Sequence, residues 1–260
     1  MAYRSGARMV TYTPSFPPFN VVFQIVMLAV RVVTRCLYGL RIRGRKNLHG
    51  VPRAVLVSNH SLVLDPALIA HAIRPRRTYF TMLEETALIP FLGTFVRLLG
   101  GIPLARGPGA VVVQEHGIED AIRILGLVHF FPEGECYLRN QQIMPFHRGA
   151  FRAACHHGLP VVPVATVLQD RGGKLTGRFW RQLGLPPRTT IVISQPLYPS
   201  TGLHGRAAEA ELSDRTREVI QSVIDRECGD KTMSRGVMPR LALHRVPADE
   251  KGIDQGPRLP

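Results

Sequence analysis

Short apolar runs alternating with helix-period segments predict an α/β fold, a mostly parallel sheet with helices packed on its faces. Three observations carry this expectation. Ala54-Val55-Leu56-Val57-Ser58 is a continuous apolar run, as a strand buried on both faces requires. Asp65-Pro66-Ala67-Leu68-Ile69-Ala70 follows, with a capping residue type and then a proline suited to the first helical position. The same succession of strand-like and helix-like pieces then continues to about residue 226.

Each further element has its own local signal. Thr86 to Leu99 and Val111 to Leu125 have helical period, the latter with Glu115, Glu119, Asp120 and Arg123 on its wet side. Leu127 to Phe131 predicts a strand, and Pro132 fixes the turn at its end. Gly149 to His157 predicts a helix, Val161 to Leu168 and Thr190 to Gln195 two more buried strands, and Ala207 to Arg226 a terminal amphipathic helix. Beyond Gly229 the pattern fades into glycine, proline and mixed charge. The expected organisation is a membrane-associating segment over 1–39, one domain over 40–228 and a disordered tail over 229–260.

The net charge of +14 on 260 residues predicts attraction to anions. No aromatic platform is interleaved with the basic residues and no zinc-finger spacing appears, so nucleic acid is disfavoured relative to an anionic membrane surface. Cys36, Cys136, Cys155 and Cys228 are widely spaced and form no CxxC pair, which suits reduced thiols on a cytoplasmic face. Cys155-His156-His157 is no metal motif, because neighbouring helical side chains diverge.

The N-terminal run Val21 to Val30 is strongly apolar but ends at Arg31, about half of the roughly 20 residues a spanning helix needs. No cleavage site follows it. Continued to Tyr38, a helix would place Gln24, Arg31, Thr34, Arg35 and Tyr38 on one side and apolar residues around the rest. Such a helix can lie in the headgroup boundary of a membrane; the alternative is a helix covering the domain core, with its arginines at the solvent edge.

The chemistry centres on Asn59-His60-Ser61-Leu62-Val63-Leu64-Asp65, directly after the first strand. Residues five apart on a regular helix point about 140° apart, so His60 and Asp65 can meet only across a turn. A carboxylate on one ring nitrogen leaves the other free to take a proton from an alcohol. The alternative is an Asp65 that only caps a helix and a His60 that is only a polar loop residue.

Three more pieces follow in order: Gly101-Ile102-Pro103-Leu104-Ala105-Arg106, Phe131-Pro132-Glu133-Gly134 and Val161-Val162-Pro163-Val164-Ala165. Order, spacing and wording of all four resemble the glycerolipid acyltransferase family over roughly residues 40 to 200. The resemblance implies an α/β acyltransferase domain that moves a fatty acyl group from acyl-CoA or acyl carrier protein to the free hydroxyl of a lysophospholipid. The leading acceptor is 1-acyl-glycerol-3-phosphate, in phospholipid biosynthesis, and no metal or other cofactor is expected. It implies a general base at His60, an orienting acid at Asp65, a phosphate clamp at Arg106, and an acceptor site floored by Glu133 and Gly134, with Asn59 among the binding residues. It also implies a protein bound to the cytoplasmic face of the inner or plasma membrane.

One stretch departs from the family. A small hydroxylic residue, an arginine and a serine usually follow the third motif, whereas Glu135-Cys136-Tyr137 stands here and the next arginine is Arg139. Losing a cation and gaining a carboxylate weakens a phosphate site, which opens the acceptor to another lysolipid or a lipid amine precursor. Arg148, in Phe146-His147-Arg148-Gly149, is a candidate for the missing charge; the alternative is a solvated arginine at a helix start.

Overall fold

A computed structural model of the chain describes residues 17–83, 101–104, 110–172 and 185–238. In chain order the elements are α1 (Pro17–Tyr38), β1 (Arg41–Arg43), β2 (Ala54–Ser58), α2 (Asp65–Ala72), β3 (Tyr79–Leu83), β4 (Gly101–Leu104), α3 (Ala110–Leu125), β5 (Leu127–Phe130), α4 (Gly149–His156), β6 (Val161–Gln169), β7 (Arg188–Ile193) and α5 (Gly205–Arg226). The seven strands form one sheet in the order β1-β7-β6-β2-β5-β3-β4. Every neighbouring pair is parallel except β6 with β7. The helix expected over 86–99 lies outside the described residues.

The period of two along a strand sends alternate residues to opposite faces. Val55, Val57, Val128 and Phe130 pack with Ile118 and Ile122 of α3, Phe151 of α4 and Leu212 and Ile220 of α5. Leu56, Leu127, Val162 and Val164 pack instead with Leu68 and Ile69 of α2. The sheet is thus covered on both faces, which is why its central strands are apolar throughout.

The pairing of β2 with β5 fixes where a site can form. β2 and β5 run side by side in parallel, with Val57 opposite Phe130, so their carboxyl ends open at the same place. Crevices at that edge of an open α/β sheet are where such folds bind ligands.

α1 packs on the domain through Met27, Thr34 and Tyr38, and Thr34 Oγ1 lies 3.0 Å from His71 Nδ1 of α2. Thr34 and Tyr38 therefore belong to the protein-facing side, while Gln24, Arg31 and Arg35 are exposed. Helical spacing groups Ile25, Leu28 and Val32 into an outer stripe, and they remain 63, 62 and 55% exposed. No helix among the described residues is long and apolar enough to cross a membrane.

Residues 229–238, placed by composition in the tail, instead run back along the domain. Arg235 N–H donates to the Leu138 carbonyl, Leu138 N–H to Gly236 and Met238 N–H to Cys136, each at 2.8 Å. A short bridge of this kind depends on a partner about 100 residues away in sequence, which local composition does not register.

Candidate active site

His60 leaves the end of β2 and Asp65 opens α2, and the tight turn between them brings His60 Nδ1 to 3.0 Å from Asp65 Oδ2. The same oxygen accepts the backbone N–H groups of Ser61 (2.7 Å) and Leu62 (2.8 Å). Asp65 is not a helix cap: Leu64 holds that position, and the Asp65 carboxylate turns back into the preceding turn. It is fully buried, so these three donors are what make an ionised carboxylate tolerable there. With Nδ1 donating to Asp65, Nε2 is the nitrogen left to accept a proton, and the imidazole remains 19% accessible.

The ring is held on its flat side as well. Phe131 stacks on His60 with centroids 4.0 Å apart and planes 22° from parallel. Behind Phe131 lies His129, edge-on at 4.5 Å, whose Nε2 is 2.9 Å from Ser58 Oγ. Complete burial, and then the proximity of His60, push the His129 pKa down to about 3. His129 therefore stays neutral and adds no charge beside a His60 that takes up a proton. Sequence reading placed Phe131 in a strand and missed its stacking role.

The turn is pinned from the side by the segment after β5. Tyr137 N–H donates to the His60 carbonyl (2.9 Å) and Arg139 N–H to that of Ser61 (2.7 Å). Ser61 Oγ donates to Asn140 O at 2.7 Å, and the buried Gln141 lies alongside, its amide 3.5 Å from that hydroxyl.

Asn59 is buried and engaged within the fold. Its amide donates to Thr166 O (3.0 Å) and Ser61 Oγ (2.8 Å), and its carbonyl accepts Thr166 N–H (2.8 Å). Both amide hydrogens are thus committed to the protein. These bonds make Asn59 a strut between the His60 turn and β6.

Glu133 is 5% exposed, and the His60 backbone N–H approaches its Oε2 at 3.5 Å. Burial raises its pKa to about 8, against the opposing pull of backbone N–H groups. Near neutral pH it is therefore largely a neutral acid able to donate a hydrogen bond. A carboxyl raised from 4.5 to about 8 favours the fold at low pH and gives up that contribution as pH rises between those values. The stability of the parent relative to Glu133→Gln is expected to fall across this window by at most about 1.4 kcal/mol per pH unit. Denaturant titrations at several pH values check this; a flat difference means that Glu133 is ionised throughout.

Gly134 has φ of +74°, and a Cβ there would stand 2.8 Å from the His147 ring, so the turn after Glu133 closes only with glycine. His147 is in turn tied by its N–H to Pro132 O (2.7 Å). Arg148 does not supply a free charge: Nε and Nη2 both donate to Glu209 Oε2 of α5, at 2.9 and 2.5 Å. Arg106 lies outside the described residues. Cys136 is buried, and burial with the nearby Asp65 and Glu133 pushes its pKa up to about 12, which keeps the thiol protonated and unsuited to attack. Among the described residues no group of histidine, cysteine and carboxylate side chains could hold a metal ion.

Comparison with known proteins converges on one group. The family model described as Acyltransferase matches residues 39–167. The chain is 30% identical over 149 residues to the 1-acyl-sn-glycerol-3-phosphate acyltransferase of Saccharomyces cerevisiae, covering 53% of this chain and 48% of that one. It is 34% identical over 167 residues to the lyso-ornithine lipid O-acyltransferase of Rhodobacter capsulatus, covering 61 and 58%. The aligned part thus spans about half the length of these curated relatives. The crystal structure of the 1-acyl-sn-glycerophosphate acyltransferase of Thermotoga maritima superposes with a TM-score of 0.60 at 20% identity, covering 82% of this chain and 83% of that one, which establishes a shared fold.

Proposed function

The chain belongs to the acyltransferase family, and on that premise we propose that it transfers a fatty acyl group from an acyl thioester to the free hydroxyl of a lysolipid. The observation that carries the reading is the His60–Asp65 contact at the mouth of β2, with the imidazole partly accessible. The acceptor oxygen attacks the thioester carbonyl as His60 Nε2 takes its proton. Asp65 stabilises the imidazolium without being protonated itself. The tetrahedral intermediate then expels the thiolate: the C–O bond is made, the C–S bond is broken, and the proton passes from imidazolium to sulfur. No protein nucleophile is needed. Glu133, as a neutral acid, donates to an acceptor oxygen, and Arg106 grips the acceptor's phosphate through two parallel hydrogen bonds. The donor is acyl-CoA or acyl carrier protein, and the leading acceptor is 1-acyl-glycerol-3-phosphate.

A second acceptor is favoured by a specific observation. Glu135-Cys136-Tyr137 stands where an arginine is usual, Arg148 is taken by Glu209, and one relative bears the name of a lyso-ornithine lipid acyltransferase. Labelled acyl donor offered with either acceptor separates the two. Preference for the phosphorylated lysolipid supports the first reading, and preference for lyso-ornithine lipid the second.

The substrates are amphiphiles, and α1 provides a surface for meeting them. Its stripe of Ile25, Leu28 and Val32 suits the headgroup boundary of an anionic membrane, at the cytoplasmic face, with Arg31 and Arg35 exposed for lipid phosphates. Exchanging all three apolar residues for serine is expected to cost about 3 kcal/mol of vesicle binding, roughly 100-fold, since each forfeits partial burial of an aliphatic side chain. Vesicle co-sedimentation reads this directly, and undiminished binding to neutral vesicles removes α1 as the anchor.

A further inference from the structure

Beside the His60 turn, arginines from separate segments converge. Arg139 has φ of +57°, a backbone conformation that side chains other than glycine rarely adopt, and its N–H is held by Ser61 O. Arg235 N–H bonds the Leu138 carbonyl at 2.8 Å, which sets Arg235 next to Arg139. Arg139 and Arg171 line one small crevice with Asp170 and Pro186. Arg188 stands opposite Gln169 in the sheet, just before that crevice.

Among the described residues Asp170 is the carboxylate that lines this crevice, against several arginines. Among the described residues neither Arg139 nor Arg235 forms an ion pair. Arg171 donates through Nε to Pro186 O, while its Nη2 is buried without a partner among the described residues. Asp170 already accepts the Arg171 N–H at 2.9 Å. Burial and then the neighbouring Arg235 disfavour the charge on Arg139, and burial and then Arg188 do the same at Arg171. A guanidinium does not give up its proton in proteins, so a cluster of this kind calls for an external anion.

Its position identifies the anion. The cluster lies where α1 ends: Tyr38 feels the charge of Arg139, and a Cβ on Gly39 would stand 3.8 Å from Arg188 Cγ. Leu37, in the last turn of α1, is exposed, and so is Arg235. We propose that Arg139 and Arg235, with Arg171 adding its charge from behind, form a binding site for the phosphate of an anionic phospholipid headgroup, separate from the acceptor site and beside the end of α1. This rests on the reading of α1 as the membrane-facing helix. Planar guanidinium forks arriving from different directions suit the oxygens of one phosphate.

The test compares binding of the full chain to phosphatidylcholine vesicles with and without phosphatidylglycerol. In Arg139→Gln/Arg235→Gln, affinity for the anionic vesicles is expected to fall roughly fivefold per arginine, about 25-fold together, with neutral-vesicle binding unchanged. Arg235→Gln alone, at an exposed position, carries the test if the double variant does not fold. His60→Ala should bind anionic vesicles like the parent, so the result is independent of acyl transfer. A parent that binds both vesicle types equally overturns the headgroup site alone, and one that binds neither overturns the α1 reading as well. Unchanged vesicle binding in the variant, with weakened binding of coenzyme A or inorganic phosphate, assigns the arginines to a soluble ligand and overturns the proposal.

Discussion

His60→Ala is expected to lower the turnover of acyl transfer by about 10²- to 10⁴-fold, the usual contribution of a positioned general base. The loss should fall on kcat more than on KM, because the ring acts on the proton as the new bond forms. Asp65→Asn should be nearly as damaging for a geometric reason. One carboxylate oxygen accepts His60 Nδ1 and the N–H groups of Ser61 and Leu62 together. An amide either turns its NH₂ toward those donors or presents a weaker, uncharged acceptor, so the imidazole loses both orientation and electrostatic support. Steady-state kinetics on variants whose circular dichroism matches the parent check this. Turnover near that of the parent in either variant removes the His60–Asp65 pair from the mechanism.

The second large effect is one of stability. Asn59→Ala is expected to cost about 2–4 kcal/mol, because it leaves the buried Thr166 N–H without its side-chain partner and the Thr166 C=O with the longer Gln141 contact alone. At this chain length that corresponds to a fall in Tm of roughly 5–15 °C. The acceptor KM of the remaining folded protein should change little. A variant of unchanged Tm with a raised acceptor KM would return Asn59 to the substrate.

These residues show what sequence could and could not reveal. His60 and Asp65 are five positions apart, and the strand before them and the Asp-Pro helix start after them are local signals. Their meeting across a turn was therefore legible, although the carboxylate proved not to be a cap. Asn59 is adjacent, yet its partner Thr166 lies 107 residues further on, so its role depends on β2 pairing with β6. Arg148 is similar: a helix-start arginine looks solvated or functional until Glu209, 61 residues away, closes on it.

The central strands were legible because burial on both faces demands unbroken apolar runs, as in Val161 to Leu168. β1 was not, since Arg41-Ile42-Arg43 is three residues long and becomes a strand only by pairing with β7 at the edge. Tyr79 to Leu83 was also passed over, a five-residue strand whose place between β5 and β4 is a property of the sheet.

Direct attack by the acceptor on the thioester is the centre of the mechanism, and thiol release measures it. Purified protein is mixed with acyl-CoA, then with acyl carrier protein thioester, each with and without lysolipid, while free thiol and acyl ester are quantified together. The expected result is one thiol for each acyl ester formed, with release that depends on the acceptor and no covalent acyl-protein adduct. A stoichiometric burst of thiol without acceptor, accompanied by an acylated protein, would contradict direct attack.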